Sequence, residues 1–172
     1  MDKRWILLII IAIVGISCMY NIVTTSTSIG TPITNLNKSL VTIPDDYGIG
    51  DTDKKSVEIY NKSCEEEKLY IEDLGKVNES LDKFNSKLNK LSHDSNVKII
   101  KNSSNYTDGI DVHSVYYQKL DNPDKYESVS YITCINHTFY IKMYGYDDLN
   151  QMDYPFNFVV DTLQPDYKRS QD

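Results

Sequence analysis

The chain has three cysteines and three histidines, the side chains most easily recruited to metal binding or to nucleophile–base chemistry. Cys134 and His137 stand in a Cys-x-x-His spacing, which is half of a structural zinc site. Cys64 and His113 do not supply the second spaced pair that such a site needs. On either side of a tight turn, Cys134 and His137 also have no reason to converge as a catalytic dyad, so His137 reads as an exposed turn residue. Cys64 and Cys134 are candidates for a disulfide. It would close a loop of about 70 residues and contribute roughly 4 kcal/mol in the chain-entropy model, outside a reducing compartment. The alternative is two unpaired thiols. Asp45, Asp46, Asp51 and Asp53 crowd one acidic stretch, with Asp147 and Asp148 in another. Carboxylates of this kind suit calcium, although the spacing is not that of an EF-hand loop. They are also the one basis for an enzyme reading, in which loop carboxylates act on an envelope substrate.

Tyrosine gives a more specific pattern, because the chain has fourteen. Val57 and Ile59 alternate with Tyr60, and Leu69 and Ile71 alternate with Tyr70. With a turn at Asn136-His137, Cys134 faces Phe139, Ile132 faces Ile141 and Ser130 faces Met143. The other side then carries Tyr131, Thr133, Tyr140, Lys142 and Tyr144. Alternation of this type predicts a sheet with an aliphatic face, under the helix of residues 78–92, and a tyrosine-rich second face. Tyr60, Tyr70, Tyr131, Tyr140 and Tyr144 are the candidate binding face for a glycan or an envelope protein. The competing explanations are cross-strand packing under the closing helix and ordinary amphipathic tyrosines at half-exposed positions.

The elements that position these residues are legible in order. Trp5 to Val23 is almost wholly apolar and as a helix spans roughly 28 Å, close to the thickness of a bilayer's hydrocarbon core. Lys3 and Arg4 precede it and no Lys or Arg follows until Lys38, which places the N-terminus in the cytoplasm and the rest outside. An uncleaved signal-anchor fits best. A cleaved signal peptide and acylation at Cys18 are the alternatives, although Gly15-Ile16-Ser17 is a poor lipobox. Residues 24–37 are uncharged and rich in Ser and Thr, as in a stalk. Residues 38–165 form the domain, and 166–172 a tail.

Within the domain, the patterns predict strands at Ser39–Ile43, Val57–Asn61 and Lys68–Leu74. A helix follows at 78–92, with Leu81, Phe84, Leu88 and Leu91 on its buried stripe and Asn78 or Ser80 as cap. Strands near Val97–Lys101, Ile110–Leu120, Glu127–Cys134 and Thr138–Tyr144 come next, then a helix opened by Tyr154-Pro155. The class is α+β, with order βββ-α-ββββ-α, a mainly antiparallel sheet and two packed helices. Gly48-Ile49-Gly50 is the sole Gly-x-Gly and no helical pattern follows it, so no nucleotide cofactor is implied; no cofactor is expected.

Val41-Thr-Ile-Pro44, the amphipathic stretch at 78–92, the Tyr131–Tyr146 hairpin and the short last helix together resemble the PsbP-like domains. That resemblance implies an α/β/α sandwich over residues 38–165, and it allows a role as accessory subunit of a membrane complex. The composition is similar to that of anchored surface proteins from methanogenic archaea.

Charge and sequons agree with an outside location. Net charge is −7, and Asp2, Lys3 and Arg4 contribute +1 of it, leaving the remainder at −8. An acidic ectodomain argues against nucleic acid and against an anionic membrane surface. Asn-x-Ser/Thr acceptors occur at Asn37, Asn61, Asn78, Asn102, Asn105 and Asn136. The expectation is a single-pass protein held in the lipid bilayer by residues 5–23. Its extracytoplasmic domain acts as a non-enzymatic binding or envelope module.

Overall fold

The computed structural model describes residues 30–76 and 79–166. The anchor, Cys18, Asn78 and the tail from residue 167 lie outside the described residues. Among the described residues no helix is long and apolar enough to cross a membrane.

In chain order the elements are β1 (Thr31–Leu36), β2 (Ser39–Ile43), β3 (Tyr47–Thr52), β4 (Ser56–Asn61), β5 (Cys64–Asp73), α1 (Ser80–Ser92), β6 (Val97–Thr107), β7 (Ile110–Lys119), β8 (Asn122–Cys134), β9 (His137–Tyr146) and α2 (Leu149–Asp161). β1 and β2 form a separate hairpin, and the other seven strands form one sheet in the order β3-β4-β5-β9-β8-β7-β6. Every neighbouring pair is antiparallel. Two meanders, β3-β4-β5 and β6-β7-β8-β9, meet where β5 pairs with β9. The link from β5 must travel from the middle of the sheet to its far edge, and α1 makes that crossing over one face.

The α+β class and the antiparallel sheet are as the sequence implies, but β1 and β3 were not anticipated. β1 occupies Thr31–Leu36, so the fold begins inside the stretch read as stalk. Its Thr- and Asn-rich sequence hides a strand whose Ile33 and Leu36 pack on the core. β3, Tyr-Gly-Ile-Gly-Asp-Thr, lacks apolar alternation because only Tyr47 and Gly48 are buried.

α2 begins at Leu149, five positions before the expected Tyr154-Pro155. The Asp148 side chain caps it by accepting from the Asn150 N–H, and Pro155 lies inside the helix. α1 starts at Ser80 with Glu79 at the cap position and no side-chain cap bond. Leu81, expected on the buried stripe, is 49% exposed; Ser80 is buried instead, its hydroxyl accepting from Thr133.

The two helices take opposite faces, and the assignment is the reverse of the expected one. The aliphatic face, with Val57, Ile59, Leu69, Ile71, Ile132, Phe139 and Ile141, is closed by α2 and the β1–β2 hairpin through Met152, Phe156 and Val159. α1 lies on the tyrosine face. Its Phe84 and Leu91 pack on Val115, Tyr117 and Val129, above the β6–β8 half of the sheet. The β8–β9 turn sits at Ile135-Asn136, both at positive φ, so Ile132 pairs with Phe139 and Ser130 with Ile141. Moving the turn by one residue shifts the pairing by two, so every side chain keeps its expected face.

Candidate functional site

Because α1 covers only one half of its face, the β4-β5-β9 half stays open. Alternation along those strands places Glu58 and Tyr60 of β4, Lys68, Tyr70 and Glu72 of β5, and Tyr140, Lys142 and Tyr144 of β9 there, with Tyr131 of β8 at the border under α1. All five tyrosines expected to share a face do so, and all five are half-buried.

Three of them form a row across neighbouring strands. The Tyr70 and Tyr140 rings lie 6.1 Å apart at 66°, and the Tyr140 and Tyr131 rings 5.3 Å apart at 55°. Between the Tyr140–Tyr131 end of this row and α1 runs a groove of about 500 Å³. Tyr131 and Tyr140 floor it, Glu72 stands at one rim, and Asp82, Lys83, Lys87 and Lys90 of α1 wall it. These lysines recur at helical spacing, so they project along one side of α1. Lys83 reaches Glu79 at 3.5 Å on the exposed surface. Lys87 and Lys90 have no ion-pair partner among the described residues. Burial, and then repulsion from Lys142 and Lys90, holds the Lys87 ammonium below its ordinary value. Burial, reinforced by Tyr131 and Glu72, pushes the Tyr140 phenol up to about 12. The groove is thus an aromatic floor beside two lysines, Lys87 and Lys90, without an ion-pair partner among the described residues, with Glu72 and Asp82 also in its lining.

The other two tyrosines are committed elsewhere. Tyr60 lies flat against Gly48, where an added Cβ would come within 2.5 Å of its ring. Tyr144 donates to Glu58, which also accepts from Lys68 at 2.8 Å. Those two bonds hold the Glu58 carboxyl below its usual range.

Cys64 and Cys134 do not form the proposed disulfide; both are free. Cys64 opens β5, whereas Cys134 pairs with His137 at the end where β5 finishes. At about 3.3 Å per residue along β5 they are roughly 30 Å apart. The acidic stretch is likewise divided, since Asp51 lies within β3, which separates Asp45 and Asp46 from Asp53. The Asp53 carboxylate accepts from the Lys55 and Ser56 N–H groups, Asp147 pairs with Lys125 at 2.8 Å, and Asp148 caps α2. Among the described residues no group of three or more His, Cys, Asp or Glu is placed to hold a metal ion.

His137 is buried, not exposed in the turn. Its Nδ1 lies 3.3 Å from Asp73, whose carboxylate also accepts from Ser39 Oγ at 2.6 Å and the Gly75 N–H at 2.7 Å. This cluster ties β2, β5 and β9 together. A second one joins His113 to Ser104 at 2.8 Å and to Asp111 at 3.0 Å, with Phe84 stacked on the ring. The tautomer that satisfies both partners has Nδ1 accepting from the serine and Nε2–H donating to the carboxylate. Neither histidine lines the larger cavities.

Among the sequons, Asn102 and Asn105 are exposed on β6, Asn136 is exposed at the β8–β9 turn, and Asn37 sits in the β1–β2 turn at positive φ. Asn61 is poorly placed for a sugar: its Nδ2 donates to the buried Glu67 at 2.6 Å. The groove lysines were not singled out from the sequence. Their helical spacing was a readable signal, but Lys87 and Lys90 look equally like partners of the helix dipole.

No protein-family model matches the chain, and no curated protein matches it. Solved structures share its fold. Cyanobacterial PsbP (CyanoP) from Synechocystis sp. PCC 6803 is 14% identical with a TM-score of 0.52, covering 73% of this chain and 85% of that one. The Saccharomyces cerevisiae Ran-binding protein Mog1p is 10% identical with a TM-score of 0.50, covering 81% of this chain and 97% of that one. The chain therefore has a PsbP-like fold, as its helix and hairpin order implies.

Proposed function

We propose that this is a non-enzymatic binding module, held at the outer side of a membrane by residues 5–23, whose groove between α1 and the open sheet half takes an acidic glycan. The observation that carries the reading is the placement of the Tyr140–Tyr131 pair beside Lys87 and Lys90 of α1 in one groove. Planar rings offer apolar stacking area with a polar tip, which suits sugar rings. Lys87 and Lys90, which have no ion-pair partner among the described residues, suit uronate or sulfate substituents. The apolar stretch, the charge bias of its flanks and the acidic, sequon-rich remainder support the outside location.

The test is calorimetric titration of the full chain in detergent with an oligogalacturonate, a neutral oligosaccharide of equal length, and polyglutamate. The reading expects binding to the oligogalacturonate that weakens steeply with salt, and little to the neutral sugar. Equal binding to both sugars, or to neither, contradicts it. Preference for polyglutamate favours a protein partner instead, a mode for which the Ran-binding protein of similar fold is an analogy.

A further inference from the structure

The two edges of the seven-stranded sheet are treated differently. Edge strands expose unpaired N–H and C=O groups and are usually blunted by shortness, charge, bulges or a covering element. β3 has all four: six residues, a bulge between Ile49 and Thr52, Asp51 within it, and the β1–β2 hairpin against its end through Asn37 N–H to Lys54 C=O at 2.8 Å. β6 runs 11 residues at the other edge. Lys98 and Lys101 protect its first half. From Asn102 to Thr107, Asn-Ser-Ser-Asn-Tyr-Thr, it has no charge, no proline and no bulge, and every residue is exposed.

What this half-strand does have is two sequons, Asn102-Ser103-Ser104 and Asn105-Tyr106-Thr107. An odd spacing puts the two asparagines on opposite faces. Asn102 pairs with Val115, which packs under α1, and Asn105 pairs with Val112, which faces the α2 side. We infer that Asn102 and Asn105 are N-glycosylated and that their two glycans, one from each face, shield the β6 edge from pairing with another strand. This rests on the outside location argued above. In the transfer, an Nδ2–H bond of asparagine is exchanged for a bond from Nδ2 to the anomeric carbon of a lipid-phosphate-linked oligosaccharide. The proton passes to base and the lipid phosphate leaves. Both Nδ2 groups are on exposed residues, unlike that of Asn61, which is held by Glu67.

The experiment is glycopeptide mass spectrometry on the full chain from the cells that make it, followed by light scattering of the detergent-solubilised wild type, Asn102→Gln/Asn105→Gln, and the same double variant with Ser103→Lys. Sugar is expected at both sites and not at Asn61. The double variant should shift from monomer towards twice that mass, and the added lysine should return it to monomer. Sugar at Asn37 or Asn136 with none at Asn102 and Asn105 overturns the inference while leaving the outside location standing. A double variant that stays monomeric at every concentration overturns the shielding role. Absence of sugar at every sequon overturns the inference too, and protease accessibility of the domain in intact cells then decides the location separately.

Discussion

At the scale of single residues, the tyrosines govern how the domain responds to alkali. Burial pushes the phenols of Tyr47 and Tyr140 from 10.0 up to about 12. A phenol raised in the folded state adds stability that is fully present below its ordinary value and is lost as pH climbs through the folded one. Stability should therefore be flat to about pH 10 and fall between pH 10 and 12, with a step of phenolate absorbance that coincides with loss of far-ultraviolet ellipticity. Smooth ionisation of all tyrosines near pH 10 without unfolding would contradict the burial described. Gly145 makes a second residue-scale prediction. It sits at φ +86, and a Cβ there would lie 1.9 Å from the Glu66 carbonyl. Gly145→Ala should cost well over the roughly 1 kcal/mol of an ordinary glycine replacement, measured by chemical denaturation. The cysteines should matter little. Reducing agent, or Cys64→Ser, should leave the melting temperature within about a degree, because the thiols lie at opposite ends of β5.

At the scale of elements, the closing helix is the main support of the aliphatic face. Met152 has no exposed surface and packs among Ile43, Tyr146 and their neighbours. Met152→Ala should destabilise the domain by about 2–5 kcal/mol in denaturant unfolding. A loss under 1 kcal/mol would mean that α2 is not a fixed part of the core.

The same elements show what a reader can extract from the sequence. β4, β5, β8 and β9 alternate cleanly because one face is fully buried, so their faces came out correctly even where the turn slipped by one residue. β1 and β3 did not, since a hairpin cover and a blunted edge need few apolar residues. Which helix covers which face was also out of reach. α1 and α2 each show one apolar stripe, and nothing in a stripe says which side of a sheet it will meet. The groove was half legible: the tyrosine alternation announced its floor, whereas its wall depended on that same unreadable choice of face.

At the scale of the molecule, the half-coverage of the tyrosine face by α1 is what creates the candidate site. A helix centred over the tyrosine face would bury Tyr70 and Tyr140 and leave no groove. Placed over β6–β8, α1 instead turns a row of lysines towards an uncovered aromatic strip. Residues 24–172 carry a net charge of −8, which repels polyanions at long range, so under the proposed function a ligand must reach the local positive charge of the groove.

Under the proposed function, α1 lysines and sheet tyrosines act together on one anionic ligand. The most direct test compares oligogalacturonate binding by the wild type, Lys87→Glu/Lys90→Glu and Tyr140→Ala, in the same detergent and salt. At least a tenfold loss is expected for the charge reversal, with a flattened salt dependence, and a loss of similar size for Tyr140→Ala that leaves the salt dependence intact. Wild-type affinity in both variants would place the ligand elsewhere on the domain and contradict the account.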